Sequence, residues 1–408
     1  MIFRARLRAK GLGPNSSGAL WFRADRQAGG YSFFENMGDR PILDSLPNAY
    51  RIAAPVGQDT KEIALGFLLN GTGSIWVDSI RFDVYDPAIV SSDPGGNSGA
   101  VAYLDSALTL IHTTALNPAG APWITLRGLA LLMAQGARRP EDTYPAIRSV
   151  LHALGDRHSM LLSPRPGPLG ADPVPDSIHA ATARLLSGRI GFVQIDAIAA
   201  GDQAQRVRFA TSLQASIKKV ARQHVCGWIV DLRSNSGGDM WPMLAGIGPI
   251  LGDGIAGMFV DDSGRRTTWG YSHGASWLGK TVQVRAVTGG NSAPTGRLPV
   301  AVLQGPATAS SGEAMVLAFS GRAGSRSFGQ PSAGLSTANT SFPLIDGATL
   351  VVTSGTMADR NGVTYGGVVN PDETVEPLAE SDSRGAEPGD PVLAKAVSWI
   401  ESIGRCSN

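Results

Sequence analysis

Ser310 is the side chain best placed to do chemistry in this sequence of 408 residues. It follows the uncharged apolar run Pro299-Val-Ala-Val-Leu303 in Gln304-Gly-Pro-Ala-Thr-Ala-Ser310-Ser311-Gly312-Glu313, and a helical pattern continues to Phe319. A serine between a buried strand and a helix can act as a nucleophile, because the adjoining backbone N–H groups point at the oxyanion it creates. The same four residues also read as a capping box, in which serine and glutamate satisfy each other's backbone amides. A second loop of similar character leaves Cys226-Gly-Trp-Ile-Val230 as Asp231-Leu-Arg-Ser-Asn-Ser-Gly237-Gly238. Short apolar runs that stop at glycine-rich loops predict buried strands of a largely parallel sheet, whose carboxyl ends collect ligands. Two such ends side by side would bring a serine and a glycine amide together; alone, Gly237-Gly238 reads equally well as a turn.

A serine nucleophile needs a base. Of the six histidines, His158 lies in the loop Gly155-Asp-Arg-His-Ser159 after a helical stretch, a more accessible place than that of His112 or His152 inside helical runs. A single histidine is also commonly structural. Gly274-Ala-Ser-Trp-Leu-Gly279-Lys280-Thr281 matches the phosphate-binding loop pattern letter for letter, but it runs into Val282-Gln-Val-Arg-Ala-Val287. That alternation predicts a strand where phosphate binding needs a helix N-terminus. No His-Glu-x-x-His metal motif is present.

The elements expected to carry these groups fall into an order. Residues 1–86 read as an all-β sandwich, with strands at Ile2–Leu7, Ala19–Ala24, Ile63–Leu69 and Ser74–Val84 separated by Gly, Asn, Asp and Pro turns. Its aromatic residues Trp21, Phe22, Phe33, Phe34 and Trp76 fit a core better than a sugar-stacking platform. Residues 87–100 have linker composition, 101–165 are a helical subdomain with the histidine loop, and 166–408 are an α/β core with a mixed sheet. In that core, Ile190–Ile195, a helix from Asp202 and the strand at Ile229 form a crossover unit. Asp390 and Pro391 open a last amphipathic helix.

Lys+Arg 35 against Asp+Glu 34 leaves a net charge of +1, which gives no pull toward nucleic acid or an anionic membrane. No run is apolar enough to span a bilayer, and the basic start lacks a hydrophobic region after it. As written the chain reads as cytoplasmic; a removed export signal would make it periplasmic or secreted. Cys226 and Cys406 lie far apart in sequence, so neither a disulfide framework nor a four-cysteine zinc site is expected, and no cofactor is implied.

Taken together, Leu154-Gly-Asp-Arg-His-Ser159, Asp231-Leu-Arg-Ser-Asn-Ser-Gly-Gly238 and Thr308-Ala-Ser-Ser-Gly-Glu313 resemble the S41 peptidases, the tail-specific or C-terminal processing protease family. The likeness covers roughly residues 100–380 and includes Gly329-Gln-Pro-Ser-Ala-Gly334 and Val368-Val-Asn-Pro-Asp372. It implies Ser310 as nucleophile, with the amides of Ser311 and Gly237 as oxyanion hole. The processing proteases take a lysine base from a Gly-Lys-Gly segment, where this chain has Gly334-Leu335-Ser336, so a Ser-Lys dyad is excluded. The branch similar to tricorn core uses a histidine in the Asp-x-His loop, here His158. That branch orients its histidine with a glutamate; Asp359 is the nearest acid in the matching neighbourhood. About thirty residues separate the histidine loop from Ile190, too few for a PDZ domain. The first 86 residues also resemble the jelly-roll, carbohydrate-binding-like domain found ahead of some S41 domains. The implied activity is peptide hydrolysis. An esterase or lactonase on the same site, acting on a small acyl substrate, and a non-catalytic binding homologue are the alternatives.

Overall fold

Period-two alternation of apolar residues drives the amino-terminal strands. In the computed structural model, which describes residues 1–38, 40–54, 56–84, 98–116, 122–164, 181–186, 189–199, 201–287, 298–376, 389–403 and 406, Ile2–Lys10 (β1) buries Phe3, Ala5, Leu7 and Ala9 and turns its arginines outward. It lies between Asn48–Ala53 (β4) and Ser74–Asp83 (β6). Ser17–Arg26 (β2) lies likewise between Tyr31–Glu35 (β3) and Thr60–Asn70 (β5). Alternation sorts the aromatics: Phe22 and Phe33 enter the core, whereas Phe34 and Trp76 are exposed.

The chain divides into two compact units. The first is Met1–Pro166 with Asn339–Thr353, the second Gly167–Ala338 with Ser354–Asn408. The strand-rich and helical segments, separable by composition, thus share one unit and one apolar core. Phe3, Leu20 and Ile52 of the sheets belong to it, as do residues of Ser98–Thr114 (α1), Trp123–Met133 (α2) and Tyr144–Ala153 (α3). Asp346 fastens the later segment to these helices by accepting hydrogen bonds from the Tyr103 (3.0 Å) and Tyr144 (2.7 Å) hydroxyls. Most of the linker stretch (residues 87–97) and nearly all of the proline-rich loop after Ser163 lie outside the described residues.

After Met160–Leu162 (β7), the second unit holds a six-stranded sheet. Ala183–Leu185 (β8) is its antiparallel edge beside Ile190–Gln194 (β9). Gln203–Ala221 (α4) crosses to the parallel neighbour Gly227–Asp231 (β10). Its start is a complete capping box, with Asp202 Oδ1 accepting from Gln205 N (2.7 Å) and Gln205 Oε1 from Asp202 N (2.9 Å). Met240–Leu251 (α5) leads to the antiparallel strands Gly254–Val260 (β11), Arg266–Ser272 (β12), Ala275–Leu278 (β13) and Thr281–Arg285 (β14). The phosphate-loop look-alike is therefore a hairpin. Val300–Gln304 (β15) rejoins the parallel sheet, followed by Ser311–Phe319 (α6) and Ser325–Gly329 (β16). Thr337–Pro343 (β17) and Thr349–Asp359 (β18) complete the antiparallel strands. Residues 349–351 of β18 pair with β7 in the first unit, and 356–359 pair with β11 in the second. Glu373–Thr374 (β19) and Pro391–Ser402 (α7) end the chain.

Strands β9, β10 and β15 are buried on both faces, as their unbroken apolar runs require. Val193, Val230 and Val302 pack with residues of α4, α5 and α6, while Phe192, Ile229 and Ala301 pack with Val392, Ala396 and Ile400 of α7. This second packing corrects the reading of the cysteines. Because α7 lies back across the sheet, Cys406 reaches the entrance of β10 and forms a disulfide with Cys226, 180 residues away in sequence. Sequence separation says nothing of spatial distance once a terminal helix returns. Among the described residues there is no cluster able to hold a metal ion and no helix long and apolar enough to cross a membrane.

Candidate active site

Strands β10 and β15 are parallel neighbours, with Trp228 opposite Val300 and Asp231 opposite Leu303, so the loops leaving them emerge together. They are also tied to each other. Thr308 Oγ1 donates to Leu232 O (2.9 Å), Ala309 N donates to Asn235 O (2.9 Å), and Ser311 Oγ donates to Gly238 O (2.6 Å). A Cβ on Gly312 would lie 2.3 Å from Asn235 O, so this crossing needs glycine.

Ser310 sits at the N-cap of α6 with φ 53° and ψ −117°. L residues seldom adopt this conformation, and holding it costs about 1–3 kcal/mol. A sharp strand-to-helix turn of this kind presents a hydroxyl above the end of a sheet. Glu313 holds the turn: it is fully buried, and its Oε2 accepts from Ser310 N (2.7 Å). The same carboxylate accepts from Ser332 Oγ (2.5 Å), Gly334 N (3.0 Å) and Leu335 N (2.9 Å). Burial pushes the Glu313 pKa up, and the hydrogen bonds from Ser332, Ser310, Gly334 and Leu335 oppose that shift.

Gly237 presses on Ser310. A Cβ at Gly237, where φ is +109°, would lie 2.8 Å from Ser310 Cβ. Its N–H, expected to face an oxyanion, donates instead to Asn235 Oδ1 (3.0 Å). The N–H of Gly238 and that of Ser311, the first amide of α6, have no hydrogen-bond partner among the described residues. Sequence reading passed over Asn235; its signal was an amide side chain two positions before a glycine pair, the spacing of a local side-chain turn.

Asp359, the acid expected to orient His158, closes a turn of its own. Its Oδ1 accepts from Asn361 N (2.9 Å) and Val363 N (3.0 Å), and its Oδ2 from Ser320 Oγ (3.4 Å), just past the last turn of α6. A nine-residue helix separates it from Ser310, about 13 Å at the usual rise. The carboxylate closes a turn at the far end of the helix from Ser310.

His158 belongs to the first unit, in the loop after α3, and is buried with 6% exposure. Asp156 organises this loop: its Oδ1 accepts from His158 N (3.0 Å), Ser159 N (2.6 Å) and Thr353 Oγ1 (2.9 Å), and its Oδ2 from Ser159 Oγ (2.9 Å). Burial lowers the imidazole pKa, and the charge of Asp156 pulls the other way. The ring thus stays neutral, and able to take a proton, down to a pH below the ordinary imidazole value of about 6.5. Any labelling of the serine that depends on this ring should lose rate on an acidic limb lying below about 6.5. Asp156→Asn should move the limb lower still. A limb above pH 7, or an upward shift in the variant, would contradict this account. Linkage has the same sign: the unfolded chain binds the proton more readily, so stability falls as pH drops through this range.

Residues 189–375 match the model of peptidase family S41. They belong to peptidase family S41. The chain is 27% identical over 304 residues to the nisin-resistance protein of Lactococcus lactis subsp. lactis, spanning 72% of this chain and 86% of that protein. The structure of a lipoprotein from Streptococcus agalactiae superposes with a TM-score of 0.60 at 23% identity, covering 79% of this chain and 100% of that one, a likeness of fold. Both the mixed α/β S41 fold and the strand-rich region ahead of it are present, and family and fold support a serine-protease-type hydrolase. Membership puts Ser310, Gly237 and Ser311 inside the matched S41 region, whereas His158 precedes it.

Proposed function

We propose that this protein is an S41-type serine peptidase in which Ser310 attacks the carbonyl of a peptide bond and His158 takes the hydroxyl proton. His158 later delivers that proton to the leaving amine, and water releases the acyl group by the same steps in reverse. The open N–H groups of Gly238 and Ser311 stabilise the tetrahedral oxyanion, with Gly237 as the close-packed wall beside the serine. The single observation that carries this reading is the left-handed backbone of Ser310 at the start of α6, against Gly237. An ordinary capping serine has extended backbone; one held at positive φ beside a glycine wall is shaped to expose its hydroxyl. A peptide substrate is supported by the family and by the likeness to a protein whose name is nisin resistance.

Intact-mass labelling with a fluorophosphonate tests the reading. One adduct is expected on the wild type and none on Ser310→Ala or His158→Ala, each folded to the wild-type far-ultraviolet spectrum. Absence of an adduct on folded wild type would overturn it in favour of a binding homologue. Retention of the adduct in His158→Ala would remove that residue as the base.

A further inference from the structure

The first unit contains a cleft of about 1000 Å³ between its strand-rich part and its helices. Arg4, Arg40, Arg51, Arg138 and Arg139 line it, against two aspartates, Asp44 and Asp142. Such a surplus is notable in a chain whose net charge is only +1.

The acids in the cleft are already engaged. Asp44 Oδ2 accepts from Tyr50 OH (2.7 Å) and Asn48 Nδ2 (3.2 Å), which holds its pKa below the ordinary value and keeps it charged. Asp142 Oδ2 accepts from the backbone N–H groups of Arg138 (2.9 Å) and Arg139 (3.0 Å). Among the guanidinium groups, Arg4 pairs with Asp83 (3.2 Å) and Arg51 Nη2 donates to Met133 O, but one buried donor is uncommitted. The Arg40 side chain is only 8% exposed, and its Nε is buried with no hydrogen-bond partner among the described residues. Its other nitrogens reach Arg51 O (3.3 Å) and, at 3.6 Å, Glu35 Oε1. Arg139 Nη2 lies 3.9 Å from Asp142, beyond hydrogen-bond range. A buried guanidinium with an idle donor beside further arginines is a feature that an incoming anion would satisfy.

The rest of the lining selects among anions. Met37, Pro41, Tyr50 and Met133 give the cleft apolar surface between its arginines. A phosphate chain has nothing to set against a thioether or a proline ring; a peptide segment alternating acidic and aliphatic side chains matches both. The volume is also that of a site for an extended ligand rather than a single ion. We infer that this cleft is a binding site for acidic segments of peptides, separate from the serine. The choice of a peptide over other anions rests on the proposed peptidase reading, whereas the cleft's charge does not.

Binding can be read without turnover. Fluorescence anisotropy on Ser310→Ala would use a dye-labelled nonapeptide alternating glutamate and leucine, with the glutamine counterpart as control. The glutamate peptide is expected to bind at least about tenfold more tightly than the control and to weaken as salt is raised. Arg138→Gln with Arg139→Gln, both exposed, should weaken binding about tenfold while the unfolding midpoint stays at the Ser310→Ala value. Equal affinity for both peptides, no binding, no loss in the double variant, or tighter binding of inorganic polyphosphate would each overturn the inference. Because this measurement needs no reactive serine, its failure and that of the labelling experiment are separable.

Discussion

Glu313→Gln is expected to cut the rate of serine-probe labelling by about 100-fold or more and to destabilise the second unit by about 2–4 kcal/mol. The side chains are nearly isosteric, so the effect comes from hydrogen-bond polarity. Ser310 N, Gly334 N, Leu335 N and Ser332 Oγ all donate to this carboxylate. The Ser332 hydroxyl can turn and accept; three backbone N–H groups cannot. A glutamine amide at either oxygen position therefore sets an NH2 against at least one buried N–H, and that donor is left unpaired. Burial raises the Glu313 pKa, so its contribution to folding is largest below the ordinary carboxyl value and falls as pH rises through the folded value. Removing the charge relieves that desolvation, but a buried N–H group left facing an NH2 carries its full desolvation cost. Ser310 then loses the contact that fixes its strained backbone, which is why labelling should suffer more than folding. Ser332→Ala removes only one of the bonds and should cost about 1 kcal/mol. Urea unfolding followed by tryptophan fluorescence, with labelling rates measured in parallel, gives both numbers. A Glu313→Gln variant that labels and unfolds like wild type would show that the turn at Ser310 is held by something else.

What the sequence revealed of this molecule divides along the range of the interactions involved. Local signals were legible. The apolar runs before Asp231 and Gln304 became the buried parallel strands β10 and β15, and Asp390 caps α7 by accepting from Val392 N (3.0 Å) and Leu393 N (3.1 Å). Yet the same Asp390 also takes a hydrogen bond from Arg233 Nη1 (2.7 Å), 157 residues away, and nothing in either neighbourhood announces it. Motif order located Ser310 and Gly237, but which amide faces outward depends on Asn235 Oδ1, a side-chain decision that spacing does not encode. Asp359, the nearest acid in its neighbourhood, accepts from Asn361 N and Val363 N in a turn of its own, a local use that the choice by position did not anticipate. The return of residues 339–353 to the first unit sets Asp346 between two tyrosines far upstream, a contact visible only once the fold has formed.

One long-range contact is covalent, and its loss should be felt throughout the second unit. Replacing Cys226 and Cys406 together by serine is expected to destabilise that unit by about 3–5 kcal/mol. The bridge closes a loop of about 180 residues, and the entropy it removes from the unfolded chain grows with the logarithm of loop length. The native state adds its own reason. Cys226 immediately precedes β10, the strand whose other end carries Asn235, Gly237 and Gly238; Cys406 follows α7, which buries Val392, Ala396 and Ile400 against the sheet. Without the bridge α7 can leave at the cost of its own packing alone, exposing Phe192, Ile229 and Ala301 on the face it covers. Such a bridge persists where the surroundings are oxidising, and reductant should reproduce the substitution because Cys406 is only half-buried. Urea titrations with and without a phosphine, on wild type and on the double serine variant, separate the effects. Wild type in reductant should fall to the variant's midpoint, and the variant should not move. Equal midpoints for oxidised wild type and the variant would show that α7 holds its place by packing alone.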